Sequence, residues 1–392
     1  MLFTLEALNA KRGDSLLLHY GDPESPNILV IDGGPEGVYK ESLRPRLAQI
    51  VKKFNKSVDD PLPIEMVMVS HIDDDHINGI LDWFGELKKA EDDEGHAFQI
   101  QTLWFNSFDD VAGNGAKEME SQVASVASSM FRQDTKAAEH TQAIVASVGQ
   151  GRKLRTLSDN LAIGRNAEFN GGMVMAAEAG KTLVKLDGGL RLTVLAPNKK
   201  RLEDLNKEWE KSIKPKKNAA LTAAFVDKSV ANLSSIVVLA ELGSNAAKKS
   251  VLLTGDARGD DMMKAVEEAE LLQDGKMKVD IFKLPHHGSN RNSAIELFQS
   301  ILADHYIISA DGEHENPDRE VIEWIAEARG KEPYTIHITN EKLFDSKKQL
   351  DVGALVRQTI TATAAQAPKR KVAFRKEDKL SMKVDLMDPL PY

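Results

Sequence analysis

The chain contains no cysteine among its 392 residues. That excludes disulfides, thiolate metal sites and a cysteine nucleophile. Any metal must therefore be held by His, Asp, Glu or backbone oxygen. No apolar run approaches the roughly 18–20 residues that a membrane span needs. The opening "MLFTLEALNAKRGDSLLLHYG" is soon interrupted by charge and lacks the basic-then-apolar layout of a signal peptide. A soluble, cytoplasmic protein is expected. There is no basic excess either. The net charge is -9, which as a global field does not favour a polyanionic partner. Internal repeats and low-complexity tracts are also missing.

What is present is a 42% apolar fraction, enough for a substantial core in one large domain or two ordinary ones. Short apolar runs bounded by Gly, Asp and Pro read as buried strands: "LFTLEAL", "DSLLLHY", "NILVID", "IEMVMVS" and "FQIQTLWFNSF" in the first third. "GVYKESLRPRLAQIVKKF" and "INGILDWFGELKKA" have helical spacing, the former despite Pro45. Residues 115–162 are helical in pattern and polar, and read as an insertion or lid. Strands resume with "GMVMAA", "KTLVKL", "LRLTVLAP", "SSIVVLAELG" and "KSVLLTGD". "DDMMKAVEEAELL", "AIELFQSIL" and "DREVIEWIAEA" then alternate as helices with the strands "KVDIFKLP", "DHYIISA" and "YTIHIT". Two halves of this kind predict two sheets packed together with helices outside. Two basic stretches stand apart. Residues 198–218 read as a solvated helix ending near Pro215, within a Lys-rich insertion at 198–231, and residues 368–379 read as an exposed hairpin. Residues 346–392 read as a C-terminal extension to a domain over 1–345.

Chemistry concentrates in "SHIDDDHINGI". His71, Asp73, Asp75 and His76 follow a strand directly and precede a helix. Ligands gather at such strand ends in open sheets. The plain alternative is a solvated acidic turn with helix-capping aspartates. A calcium loop does not fit, because His76 breaks the required acidic spacing and Glu86 falls one position late. Three further islands also sit at predicted strand ends: Asp256 in "VLLTGD", His286 and His287 in "FKLPHHGSNRNS", and His314 and Asn316 in "ISADGEHENPD". Four in a row at strand-to-loop junctions are not explained by capping.

With these islands in order, the sequence resembles the metallo-β-lactamase superfamily, specifically the hydrolase domain of the ComEC competence family and its soluble relatives. "GDS", "NILVIDGG", "SHIDDDHINGI", "LRLTVLAPN", "NLSSIVVLAELGSNAAKKSVLLTGD" and "FKLPHHGSNRNS" carry the resemblance, over about residues 2–325 apart from the helical insertion and the Lys-rich segment. It implies an αββα sandwich of two mixed sheets, an α/β (α+β) fold. It also implies two divalent ions, Mn²⁺ or Zn²⁺ with Mg²⁺ compatible. His71 and Asp73 would hold one ion, Asp75 and His76 the other, and Asp256 would bridge. His287, or its neighbour His286, would complete the second site. The superfamily's usual third histidine has no match, and Asn232 or Ser234 lies nearest. Asp73 replaces a histidine and hardens the donor set towards Mn²⁺ or Mg²⁺.

Two ions would lower the pKa of a bridging water to give a hydroxide and steady an in-line displacement. Asp75 or Asp256 would take the proton, and His314 would serve substrate or proton transfer. The expected activity is a nuclease or phosphodiesterase acting on DNA, with Lys283, Ser289, Arg291, Asn292 and Asn316 near the phosphate. Other readings are a hydrolase of a small ester, thioester or phosphorylated metabolite, and a catalytically inactive subunit. In the latter, the tail "KVDLMDPLPY" would dock a protein partner or operon-encoded regulator. Asp74 reads as a solvent-facing bystander.

Overall fold

The computed structural model describes residues 1–107, 110, 149–203, 235–291 and 293–392. Strands in the first part are β1 (Leu2–Leu8), β2 (Leu16–Asp22), β3 (Ser25–Ile31), β4 (Leu62–Ile64), β5 (Met66–Met68), β6 (Phe98–Ile100), β7 (Thr102–Trp104), β8 (Gly164–Arg165), β9 (Thr182–Lys185) and β10 (Arg191–Ala196). Those that follow are β11 (Val237–Leu242), β12 (Lys249–Leu253), β13 (Met277–Lys283), β14 (Ile301–Ile308), β15 (Tyr334–Ile338), β16 (Phe344–Asp345), β17 (Leu350–Asp351), β18 (Arg370–Phe374) and β19 (Ser381–Asp385). The helices that matter below are α1 (Arg44–Lys53), α2 (Asp74–Asp93), α3 (Gly259–Glu268), α4 (Ile295–Ser300), α5 (Arg319–Arg329) and α6 (Val352–Ala362).

Two mixed sheets result. The first has the order β19-β1-β2-β3-β5-β7-β8, and the second β18-β15-β14-β13-β12-β11-β10-β9. Their facing sides share one core. Phe3, Leu5, Leu16, Leu18, Leu29 and Met68 of the first meet Leu192, Val238, Val251, Leu253 and Ile281 of the second. The alternate residues point the other way. Leu17, Val30 and Val67 pack under α1 and α2, and Leu252, Phe282 and Ile336 pack under helices α3 to α6. Strands covered on both faces must be apolar at nearly every position, which is why they read as continuous runs. Helix α2 fits this scheme with a single stripe, Ile77, Ile80, Leu81, Phe84 and Leu87.

Departures from expectation have local causes. Pro45 sits at the start of α1 rather than inside it, where its missing N–H costs nothing, and residues 39–43 form a separate π turn before it. "GMVMAA" contributes only an isolated bridge, Ala176 to Asn198. Helix α4 stops at Ser300, and Ile301 already belongs to β14. The hairpin expected over 368–379 does not form. Strand β18 joins β15 at one edge of the second sheet, and β19 joins β1 at one edge of the first. Residues 346–392 thus supply one edge strand to each sheet. Arg370 and Arg375 are also spent internally, on carbonyls of Ile360 and Thr339. Of the expected helical insertion, residues 149–160 are helical and 115–148 lie outside the described residues. The Lys-rich segment is described only at 198–203, and Asn232, Ser234 and Asn292 lie outside the described residues. Among the described residues, no helix is long and apolar enough to cross a membrane.

Candidate metal centre

Five strands deliver side chains to one edge of the sandwich. Beyond the C-terminal end of β3 comes Asp32, beyond β5 come Ser70 and His71, and beyond β12 comes Asp256. After β13 come His286 and His287, and after β14 the loop of His314 and Asn316. The two sheets are joined there by Ile236 N–H donating to Ser70 O at 2.8 Å.

Close backbone approaches shape the turn that carries His71 to His76. Gly79 N donates to Gly34 O at 3.0 Å and Gly33 N to His76 O at 2.7 Å. A Cβ on Gly79 would sit 1.9 Å from Gly33 O, so α2 can reach this loop only through glycine. Likewise a Cβ on Gly13 would lie 1.9 Å from Asp75 O. The His286–His287–Gly288 turn has φ of 48°, 57° and 80° in succession. Two non-glycine residues in that region cost about 1–3 kcal/mol each, and here they aim both imidazoles at Asp256.

Asp256 organises the centre. Its Oδ2 lies 3.7 Å from His71 Nε2 and 3.5 Å from His286 Nδ1. Its Oδ1 lies 3.4 Å from His76 Nε2 and 3.6 Å from His287 Nε2. Asp73 Oδ2 is 3.7 Å from His71 Nε2, and Asp75 Oδ2 is 3.3 Å from His287 Nε2. The donors thus form two groups, one on each carboxylate oxygen. These separations exceed a hydrogen bond. They match the roughly 3.3 Å between two ligands that each sit about 2.0–2.1 Å from a tetrahedral ion. His71 Nε2, His76 Nε2, His287 Nε2 and Asp256 Oδ1 are buried and make no hydrogen bond. An unsatisfied buried polar atom costs about 1–3 kcal/mol, so four of them pointing at one another fit a cation-binding role. Combinations such as His71, His76 and Asp256, or Asp75, His76 and His287, hold their donor atoms within 4.8 Å.

The charges agree. Burial opposes ionisation of Asp256, but His287, His286 and His76 outweigh it and hold its pKa well below the usual carboxylate range. Burial, together with His76, pushes His71 down to about 3, so it stands neutral with a lone pair. Capping does not account for the aspartates. Asp73 occupies the N-cap position of α2 without a side-chain capping bond, and Arg258, not Asp256, precedes α3.

Behind the donors is a supporting layer. Asp32 Oδ2 lies 2.8 Å from His76 Nδ1, and its oxygens also accept from Ser70 N and Ser70 Oγ at 2.7 Å each. Ser70 Oγ is 3.1 Å from His71 Nδ1. No family model matches the chain, and no curated protein matches it either.

Several expected contacts are placed differently. Lys283 does not face a substrate. It is 1% exposed, ion-paired to Asp14 at 2.7 Å, and donates to Leu284 O. Ser289 is also buried, with its hydroxyl donating to Asp318 and accepting from Arg291 N. Arg291 is exposed, whereas Asn316 is buried with Oδ1 unbonded, next to Pro317 that packs on Gly288. His314 is exposed with a φ of 59°. Desolvation, Arg12 and Lys347 lower its pKa, and Asp75 acts in the opposite direction. Asp74 is not a bystander, since Gln150 Nε2 donates to its Oδ1 at 2.6 Å and ties residues 149–160 to the start of α2. Asp14 was not singled out from sequence, although it lies in the quoted "GDS", directly before an apolar strand.

Proposed function

We propose that this chain is a metallo-β-lactamase-type hydrolase that holds two divalent ions and cleaves phosphodiesters, with DNA the favoured substrate. The observation that carries the reading is the division of donors between the two oxygens of Asp256. One ion would be held by His71, Asp73 and Asp256 Oδ2, with His286 in reach. The other would be held by Asp75, His76, His287 and Asp256 Oδ1. Such a pair supplies charge stabilisation at the attacking and leaving oxygens of an in-line displacement. Three carboxylates among the donors suit Mn²⁺, and zinc is compatible.

The chain's own residues do the rest. Asp73 and Asp75 form the open side of the cradle, with side chains 37% and 25% exposed, so substrate approaches there. Burial opposes ionisation of Asp75, but His287 and His76 prevail and keep it a carboxylate. Asp75 or Asp256 would accept a proton from the attacking water. His314, exposed on the loop after β14, would pass a proton onward. Arg12 and Arg291 are exposed on the loops that carry Asp14 and His287, and give phosphate a local attraction despite the acidic whole.

The test is incubation of the Mn²⁺-loaded protein with single- and double-stranded DNA. Cutting that disappears in His71→Ala and Asp256→Ala supports the nuclease. Turnover of a chromogenic phosphodiester or a lactone without DNA cutting favours a small ester instead. Two bound ions with no turnover of any of these favours a binding subunit.

A further inference from the structure

We infer that Asp14, held in place by Lys283, is the positioning residue that sets the tautomer and direction of His287. The inference rests on His287 being a metal ligand. A metal-bound imidazole almost always donates its second ring N–H to a fixed acceptor. His76 faces Asp32 in this way at 2.8 Å, and His71 faces Ser70 at 3.1 Å. The group facing Nδ1 of His287 is Asp14 Oδ1, at 3.8 Å. Both atoms are buried and neither has a hydrogen-bond partner. The gap is too long for a hydrogen bond, as functional contacts often are before the ligand arrives.

Asp14 cannot drift from this position. Its Oδ2 is paired with Lys283 Nζ at 2.7 Å, both side chains are 1% exposed, and Lys283 Nζ is further anchored on Leu284 O at 2.8 Å. Its backbone N–H donates to Asp75 O at 3.2 Å, and Gly13 lets that approach happen. The ion pair joins the β1–β2 loop of the first sheet to the end of β13 in the second. It also has a selective effect. Asp14, Asp256 and His287 hold donor atoms within 4.8 Å, so an unrestrained Asp14 would compete as a ligand. Lys283 engages one oxygen and leaves the other for His287 Nδ1–H, and the Nε2 lone pair then points at Asp75 and Asp256.

Asp14→Asn tests this directly, because the variant keeps the shape and changes only the chemistry. Lys283 must keep an acceptor, so the amide oxygen turns to Lys283 and the NH₂ faces His287. That arrangement stabilises a lone pair on Nδ1 and a proton on Nε2, the wrong tautomer for binding. The expected result is a 10–100-fold fall in affinity for the second Mn²⁺ or Zn²⁺ equivalent by calorimetry, with the first nearly unchanged. Imidazole ¹⁵N NMR of the metal-free variant should show His287 protonated on Nε2. A merely structural Asp14 would leave both readouts alone. If Asp14→Asn does not fold, the zinc-loaded wild type decides: its His287 should show a hydrogen-bonded Nδ1–H. Unchanged second-site affinity, or an Nδ1 without a proton in the loaded wild type, overturns the inference. Wild-type protein that takes up no second ion overturns the dinuclear reading itself, a different result from two ions bound equally well by wild type and variant.

Discussion

Asp32 Oδ2 and His76 Nδ1 lie 2.8 Å apart, both wholly buried, and their pairing decides which nitrogen of His76 faces Asp256. Burial opposes charge on His76, but Asp32 and Asp256 outweigh it and raise its pKa well above normal. Asp32→Ala should therefore strand a buried imidazolium and remove both acceptors of Ser70. Breaking one side of such a pair costs on the order of 3–5 kcal/mol. Urea unfolding of metal-free protein at pH 7 measures it, and a loss below about 1 kcal/mol would remove Asp32 from this role.

Asp256 and the histidines should separate by stoichiometry. Each oxygen of Asp256 lies against one donor group, so on the proposed dinuclear reading Asp256→Ala should reduce bound metal from the proposed two ions per chain towards none. His287→Ala should spare the ion held near His71. Metal analysis after desalting, on protein purified without chelator, reads the difference. Equal loss in both variants would mean a single shared site.

Two glycines of α2 predict opposite outcomes. Gly79→Ala puts a methyl 1.9 Å from Gly33 O, where only backbone movement can relieve it, and should cost about 1–3 kcal/mol or more. Gly85→Ala meets nothing within 4 Å and should stabilise by up to about 1 kcal/mol through helix propensity. Thermal melts of the two variants side by side check the pair.

A buried network far from the cradle predicts the acid limb of stability. Glu6 binds Arg46 at 2.8 Å and His19 at 2.9 Å, and His19 Nδ1 lies 3.0 Å from the Tyr392 hydroxyl. Burial opposes charge on Glu6, yet His19 and Arg46 bring its pKa down to about 2. Burial lowers that of His19. In both, the folded pKa lies below the unfolded value, so the unfolded chain binds more protons and acid destabilises. The loss should begin below about pH 6.5 through His19. It should deepen from 4.5 down to about 2 through Glu6, whose share is on the order of 3 kcal/mol. Glu6→Gln should remove the second part of the slope in urea titrations at pH 7, 5 and 3. A parallel slope in the variant would show that other carboxylates carry it.

Much of this was legible in the chain because strands and helices write their burial locally. The runs before Ser70 and Thr254 are apolar on both faces, and the run before Leu284 is interrupted by Lys278, Asp280 and Lys283; polar islands follow where these runs stop. Asp73 and Asp75 could be set apart from capping residues only together with the three further islands. The "GDS" and "IDGG" stretches marked strand ends too, but nothing local told Asp14 and Asp32 apart from turn formers.

Sequence alone determined which residues are available at the strand ends, since a period of two and an abrupt polar stop are properties of a few neighbouring residues. Tertiary structure decided which atoms meet. Lys283 reads as an exposed cation until the second sheet brings it against Asp14 from the first. The strands after residue 369 read as a hairpin until each finds an open edge on a different sheet. The split between the two oxygens of Asp256 depends on closing the sandwich, because it is set by distances of a few ångströms between segments up to 216 positions apart, from His71 to His287.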